Sequence, residues 1–338
     1  MIEVNTPTGL INIPDKWAEL SPVQYIGVCG VIAQVQSGKL SFFDARLRLL
    51  EVLTGYKRSR KRYNESDQQQ INDNLHILAS MIRFVFKPQY TDPEILDVLS
   101  PELRKRLTTH FPFEIGEPHE VAQLKMVGNL LKYRISINLD IDRNHIPTIH
   151  HATGMYYGPL WNIDNNNILT TDILADEYID ALDYYKLYHQ TNDIKYMHGL
   201  MAALYRKDRA TYNSVEVQKT AQTTLTNNAG ILTGVYFFFQ SIQEYLMERS
   251  AWSILFNKSE ATEPKSEKIS LGMVEHLYSL SKEGYGGREQ LGLLNIKDLL
   301  NLMFKQLKDT VNTLRGYKMK THEIAQNLNM SIETIQML

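Results

Sequence analysis

Two stretches of this chain carry the same order of residues, and that self-resemblance constrains the fold more than any other feature. The first runs Leu20-Ser21-Pro22-Val23-Gln24-Tyr25-Ile26, then an apolar helical stretch ending Leu49-Leu50-Glu51-Val52-Leu53, then Tyr56-Lys57-Arg58 and Tyr63. The second runs Leu174-Ala175-Asp176-Glu177-Tyr178-Ile179, then Leu200-Met201-Ala202-Ala203-Leu204, then Tyr205-Arg206-Lys207 and Tyr212. Tyr25 and Tyr178 lie 153 residues apart, and Tyr63 and Tyr212 lie 149 apart. A repeat of that length implies a duplicated helical module rather than a short-period solenoid. A duplicated helical body without a catalytic signature reads as a scaffold or binding protein.

A chain of 338 residues can bury a sizeable core, and its length favours two domains. With 43% apolar residues, wholesale disorder is excluded. The 36 basic and 38 acidic residues nearly cancel, so the chain as a whole has no attraction for nucleic acid or an anionic membrane. The one local candidate is Lys57-Arg58-Ser59-Arg60-Lys61-Arg62. No aromatic residues interleave with it, so a solvated helix end or loop is the better reading. Cys29 is the only cysteine, which excludes an intramolecular disulfide, and its apolar neighbours predict a buried, inert thiol. The N-terminus lacks the basic and apolar regions of a signal peptide. The longest apolar run, Ala229 to Phe239, falls short of the roughly 20 residues a membrane span needs. The expected location is intracellular, without signal-peptide secretion or a membrane span.

The pattern predicts a mainly α fold with small β-hairpin elements. Residues 1–13 read as a hairpin, and Ser21-Pro22 as the cap and first position of a helix reaching Gln36. Ser41 caps a second helix that Gly55 ends. Residues 68–86 read as a helix with Leu75, Leu78, Ile82 and Val85 on one stripe, stopped by Pro88. Val121 to Asn138 also reads as a helix. Residues 139–170 carry Pro147, Gly154, Gly158 and Pro159 and read as loops with short strands. Asp172 then caps a helix to Gln190. Further helices are expected at 193–205, 229–257, 269–280 and 296–314. The expected organisation is a first helical module over 1–138, a related module over 139–257, a charged linker over 258–268, and a C-terminal helical segment over 269–338.

The sequence lacks the phosphate-binding G-x-x-x-x-G-K-[ST], the dinucleotide G-x-G-x-x-G and the nucleophile elbow G-x-S-x-G. Gly284-Tyr285-Gly286-Gly287 has no preceding strand and reads as a turn. His145, His150 and His151 lie near Asp140 and Asp142, but their spacing matches no ligand motif, and polar loop histidines are the expectation. Those two aspartates have no recognisable acid/base partner, and His322-Glu323 lacks the second histidine of a zincin. No catalytic, cofactor-binding or metal residue is assigned, no cofactor is expected, and the chain is not expected to be an enzyme. The stripe Tyr184, Tyr185 and Tyr188 and the block Tyr236 to Phe239 read as core or helix–helix contact, or as a protein interface.

The sharpest local pattern is at the end. With Ala325 at the fifth position of a helix-turn-helix, Ile324, Leu328, Met330, Ile335 and Leu338 fall on the buried positions 4, 8, 10, 15 and 18. Asn329 falls at the turn and Ser331 caps the second helix. That helix carries Glu333 and no Lys or Arg, and Glu333, Thr334, Gln336 and Met337 form its expected exposed set. DNA affinity rests largely on phosphate neutralisation. A packing or partner-docking helical hairpin is therefore the better expectation.

Ile13-Pro14-Asp15-Lys16-Trp17-Ala18-Glu19-Leu20-Ser21-Pro22-Val23-Gln24-Tyr25 resembles a starting phrase of phage and prophage proteins of Bacteroides-type bacteria, "I-P-x-x-W-x-E-L-T/S-x-x-Q-Y". Ala203-Leu204-Tyr205-Arg206 and Tyr278-Ser279-Leu280-Ser281-Lys282-Glu283-Gly284 resemble recurring elements of the same proteins. The resemblance implies a virion component or a tail-assembly-chaperone-like protein, acting through contacts with other phage structural or assembly proteins or with itself. Its motifs are structural, so no catalytic residue is carried over. The alternative from another class is a DNA-binding regulator or packaging factor using residues 321–338, and an enzyme of unrecognised type ranks third.

Overall fold

The structure is a computed structural model in which residues 1–6, 9–56, 65–209, 211–256 and 268–338 are described. Helix accounts for 61% of the described residues and strand for 12%, so the chain is mainly α with small two-stranded sheets. It divides into two compact units, Met1–Ile141 and Asp142–Leu338. The basic run from Lys57, the repeat residue Tyr63, and nearly all of the expected 258–268 linker lie outside the described residues.

In the first unit β1 (Ile2–Thr6) pairs antiparallel with β2 (Gly9–Ile13), in register from Ile2↔Ile13. A tight turn at Trp17–Glu19 leads to α1 (Pro22–Gln36). Ser21 Oγ accepts from Gln24 N, and Gln24 Oε1 accepts from Ser21 N, a reciprocal cap with Pro22 at the first helical position. Ser41 caps α2 (Phe42–Thr54), and Gly55, at φ 71°, takes the left-handed conformation that ends it. Gln24 Nε2 donates to Leu53 O at 2.7 Å, tying the start of α1 to the end of α2. The two helices meet closely at Gly27, where a Cβ would lie 2.6 Å from a Val52 methyl. Tyr25, Val28, Cys29, Ile32, Leu49 and Leu53 are buried there.

The third helix departs from expectation. α3 spans Glu65–Ser80, and the chain then turns into β3 (Phe86–Tyr90). Ile82 and Val85 are buried as the stripe implied, but not on a helix. Pro88 lies inside the strand rather than ending a helix. It is tolerated because β3 has one neighbour, β4, among the described residues, so a missing N–H need not break the ladder. After α4 (Pro101–Leu107), α5 (Pro118–Val127) stops at Gly128, whose φ is 50°. The rest of the expected 121–138 helix is β4 (Tyr133–Ile137), paired with β3 from Phe86↔Ile137 to Tyr90↔Tyr133. Cross-strand pairing overrides local helix propensity here. Leu99, Leu103, Leu107, Ile115 and Val127 form a separate small core.

The second unit opens with two hairpins, β5 (Thr148–His151) with β6 (Gly154–Tyr157), and β7 (Trp161–Ile163) with β8 (Leu169–Thr171). α6 (Ala175–Thr191) follows, and Asp172 is not its cap. Leu174 holds that position, while Asp172 Oδ1 accepts from Leu160 N at 2.8 Å and pairs with Arg209. α7 (Ile194–Leu204) is capped by Asp193. It packs on α6 at Gly199, where a Cβ would fall 2.2 Å from the Tyr184 ring. α8 (Ser214–Ala221) and α9 (Ala229–Glu244) come next. The expected 229–257 helix is three pieces. α9 widens into one π turn at Tyr245–Arg249, then Ser250 starts a 3-10 stretch by accepting from Trp252 N.

α10 (Lys268–Lys282) and α11 (Arg288–Gly292) are separated by Gly284 and Gly286, both at positive φ, which is the glycine turn read from the sequence. α12 (Ile296–Gly316) packs on α6, with Ile296 N donating to Ile173 O and Ala175 N to Leu294 O, each at 2.8 Å. Arg288 pairs with Asp176 at 2.8 Å. α13 (Thr321–Leu328) and α14 (Ile332–Met337) fold back on α12. Among the described residues no helix is long and apolar enough to cross a membrane.

Candidate functional site

The most unusual chemistry in the molecule is a knot of charges buried in the second unit. Glu177 is three residues past Leu174, so its Oε2 accepts from Leu174 N at 3.2 Å and the side chain turns inward at the start of α6. It is fully buried. Arg206, two residues past the end of α7, is held by an isolated bridge in which Tyr157 N donates to Arg206 O at 2.7 Å. Its Nη2 donates to Glu177 Oε2 at 2.8 Å, and its Nη1 donates to Thr211 O. Arg209 reaches the same carboxylate through Nη1 at 2.7 Å, and also donates to Leu204 O at 2.9 Å and to Asp172 at 2.8 Å. Tyr212 donates to Asp180 Oδ2 at 2.6 Å, and the Arg206 guanidinium lies 5.1 Å from the Tyr212 ring centre.

Burial pushes the Glu177 carboxyl above its ordinary range, and the charges of Arg209 and Arg206 pull the other way. Burial and the Asp180 carboxylate push the Tyr212 hydroxyl up. Both Glu177 oxygens accept from donors of the fold, Oε2 from Leu174 N and Arg206 and Oε1 from Arg209. The knot works as a fastening: it holds the α7–α8 connection against α6. The neighbouring Tyr205 hydroxyl adds a bond to Ile146 O at 2.9 Å. Gln24 in the first unit occupies the matching third position of its helix and binds Leu53 O directly, whereas Glu177 reaches Leu204 O through Arg209. Sequence reading placed Glu177, Arg206 and Tyr212 in the repeat without giving them this role. Glu177 and Arg206 are 29 residues apart, and only the Glu three residues after Leu174 hinted at the turn of that side chain.

Beside the knot lies a cleft of about 350 Å³ lined by Tyr156, Ala202, Tyr205, Arg206, Lys207, Asp208, Thr211, Asn213, Glu216, Val217, Lys219 and Thr220.

Two aromatic groups reach the surface. On α6 and α9, Tyr185 stacks on Tyr236 with centroids 5.4 Å apart, and Tyr188 meets Tyr236 edge-on at 5.3 Å. Tyr236 Oη and His189 Nε2 are hydrogen-bonded at 2.8 Å. Burial pushes the Tyr185 hydroxyl up to about 12 and holds the His189 imidazole below its ordinary value. The expected Tyr184–Tyr188 stripe thus divides: Tyr184 packs on Gly199, and Tyr185 and Tyr188 join Tyr236. Phe237, Phe238 and Phe239 are core. In the first unit Phe43 and Phe113, 57% and 49% exposed, cap a cluster with Phe42 and Phe111.

His145 is buried in the loop before β5. His150 and His151 lie side by side on β5, where successive side chains point to opposite faces, and His151 Nδ1 meets Thr153 Oγ1 at 2.9 Å. Among the described residues no three His, Cys, Asp or Glu side chains gather as metal ligands would. Cys29 is fully buried and its thiol is pushed up by burial.

At the C-terminus Val311, Ile324, Ala325 and Ile335 form a core, with Leu328, Met330 and Leu338 packed against it. Asn329 takes a left-handed conformation at φ 53°, and Ser331 Oγ accepts from Thr334 N. Thr334 is buried, not exposed as its place in the expected surface set implied, because it shares this cap with Ser331. Glu333, Gln336 and Met337 are exposed as expected, and Ile332 is exposed as well.

No protein-family model, curated protein or solved structure matches this chain.

Proposed function

We propose that the chain is a non-enzymatic phage or prophage virion or assembly protein, a structural component or a tail-assembly-chaperone-like factor. It acts through contacts with other phage structural or assembly proteins, or with itself, in the host cytoplasm or the virion. The observation that carries this reading is the aromatic face of Tyr185, Tyr188 and Tyr236. It sets half-buried tyrosine rings from two helices, α6 and α9, side by side, the composition that concentrates binding energy at protein interfaces. The parallel roles of Gln24 and Glu177 support a duplicated module whose second copy replaced a direct hydrogen bond with an ionic fastening. The test is co-expression with the products of the flanking genes. At least one should co-purify stoichiometrically, and Tyr188→Ala with Tyr236→Ala should weaken that complex at least about tenfold while leaving the melting curve of the isolated chain in one piece. If no flanking product binds, or the double variant binds undiminished, the reading fails.

One observation favours the DNA-binding alternative: α13 and α14 are joined through a left-handed Asn329 and braced by α12. Charge argues against it. Glu333, Gln336 and Met337 face solvent; Arg315 is engaged with Ile335 O at 2.7 Å, and the other nearby cations, Lys318 and Lys320, precede α13. In a salt titration, duplex DNA should bind weakly or not at all near physiological salt. Tight binding that falls steeply with salt and is lost on Gln336→Ala would reverse the ranking.

A further inference from the structure

We propose that the outer edge of β4 takes an extended segment of a partner protein as an added antiparallel strand, and that this segment alternates acidic with apolar side chains. The surface lies in the first unit and does not depend on the tyrosine face of α6 and α9.

The hydrogen bonds of the β3–β4 ladder fix which backbone groups are left over. Thr91 N donates to Lys132 O at one end and Asn138 N to Val85 O at the other, each at 2.9 Å. Both bonds keep the register that pairs Phe86 with Ile137. Bonding alternates along an antiparallel pair. Arg134 and Ser136 therefore turn their backbone groups toward β3, and Tyr133, Ile135 and Ile137 turn theirs outward. The same parity turns Phe86, Pro88 and Tyr90 outward on β3. There Pro88 removes the central donor, a common guard against strand addition. β4 has no proline. Among the described residues it has no strand neighbour beyond β3, and no backbone bond reaches its outward groups. One edge of this sheet is closed by a proline, and the other offers a full row of donors and acceptors.

The two faces of the sheet set the chemistry of the strand that fits. On one face Tyr133 rests against Tyr90 and Phe111, with ring centres 6.0 and 5.9 Å apart. Pro88 stands opposite Ile135 on that face and is buried, yet Ile135 is 42% exposed. The apolar layer runs past its cover at the β4 edge, and an apolar side chain on an added strand would complete it. The other face carries Lys87 and Gln89 of β3, with Lys132, Arg134 and Ser136 alongside. Its three cations are exposed, and it holds no acidic residue. Arg134 Nε donates to Gln89 Oε1 at 2.9 Å, and none of the three is ion-paired among the described residues. Carboxylates set opposite Lys132 and Arg134 meet that charge, whereas a second copy of β4 would bring more cations to it. The face thus favours an acidic partner over self-pairing.

The probe is a short synthetic peptide alternating glutamate and valine, titrated into the full chain by calorimetry. It should saturate one site below about 1 mM, and a peptide with lysine in place of glutamate should not bind. In an antiparallel pair, a valine on the Ile135 face points its N–H at β4, and a glutamate points its N–H away. N-methylation of the valines should therefore abolish binding, and N-methylation of the glutamates should preserve it. Lys132→Glu with Arg134→Glu should weaken the peptide about tenfold or more. Both side chains are exposed, so that variant should melt as the parent does. Ile135→Pro gives β4 the guard that β3 has at Pro88 and should weaken the peptide as much; if it does not fold, the N-methylated peptides decide on the parent chain. Tyr188→Ala with Tyr236→Ala should bind the peptide undiminished, which separates this proposal from the assembly reading. Absence of saturation by about 1 mM, equal binding of the lysine peptide, undiminished binding in the double charge variant, or the reverse pattern of N-methylation would overturn the proposal. So would a dimer in sedimentation that is lost in Ile135→Pro, because a second copy would then occupy the edge.

Discussion

Glu177→Ala destabilises the second unit by about 3–5 kcal/mol, the cost of stranding buried charges whose partner has been removed. The substitution leaves Arg206, with 9% of its side chain exposed, and Arg209, with 16%, against an emptied site. Arg209 keeps Asp172 and Leu204 O, while Arg206 keeps Thr211 O and the Tyr212 ring but no carboxylate among the described residues. For a unit of this size, the melting temperature should fall by roughly 6–20 °C. Glu177→Gln preserves the shape and the bond from Leu174 N but not the charge, so its loss should be smaller. Circular dichroism melts of the three proteins check the order. If Glu177→Ala melts within about 1 °C of the parent, the knot contributes nothing to stability and the fastening role fails.

Much of the helical skeleton was legible because it is written in short-range chemistry. Ser21, Ser41 and Ser331 cap the helices they were read as capping, and Gly55 and Asn329 stop theirs. Each of those features depends on atoms within four residues. The β3–β4 pair was illegible for the opposite reason. Its strands lie in two stretches with helix-like spacing, and only pairing between Phe86 and Ile137 decides against helix. Asp172 shows the same limit on a smaller scale. It has the chemistry of a cap, but Leu160 N and Arg209 claim its oxygens first.

The charge knot hid more deeply than either. Burial of Glu177 is set by the turn at Leu174, and its two arginines arrive from the far end of α7. In one dimension these are ordinary charged residues of a polar helix start and a polar loop. The apolar spacing of the two stretches implied helices there. It carried no sign that the first helix pair is tied by Gln24 and the second by an acid and two guanidiniums.

The phrase around Trp17 repays the same physical reading, and it carries the other large expected effect. Ile13 ends β2 fully buried, and Leu20 is buried just before the Ser21 cap. Trp17 itself is 1% exposed. Its ring meets Tyr25 edge-on at 5.8 Å and Phe84 at 5.4 Å, and its Nε1 donates to Asn138 O at 2.7 Å. That bond joins the N-terminal turn to residue 138, so one indole closes the first unit upon itself. Trp17→Ala removes the ring, leaves a cavity and strands the Asn138 carbonyl, and should cost about 3–5 kcal/mol. Trp17→Phe fills most of the volume without the donor, so it should recover part of that loss. Hydrogen exchange read peptide by peptide separates the units: amides of α1, α2 and β4 should lose protection in Trp17→Ala, and those of α7 and α9 should keep theirs. Equal loss of protection across both units would show that they unfold as one cooperative body, and would refute the confinement of this effect to the first.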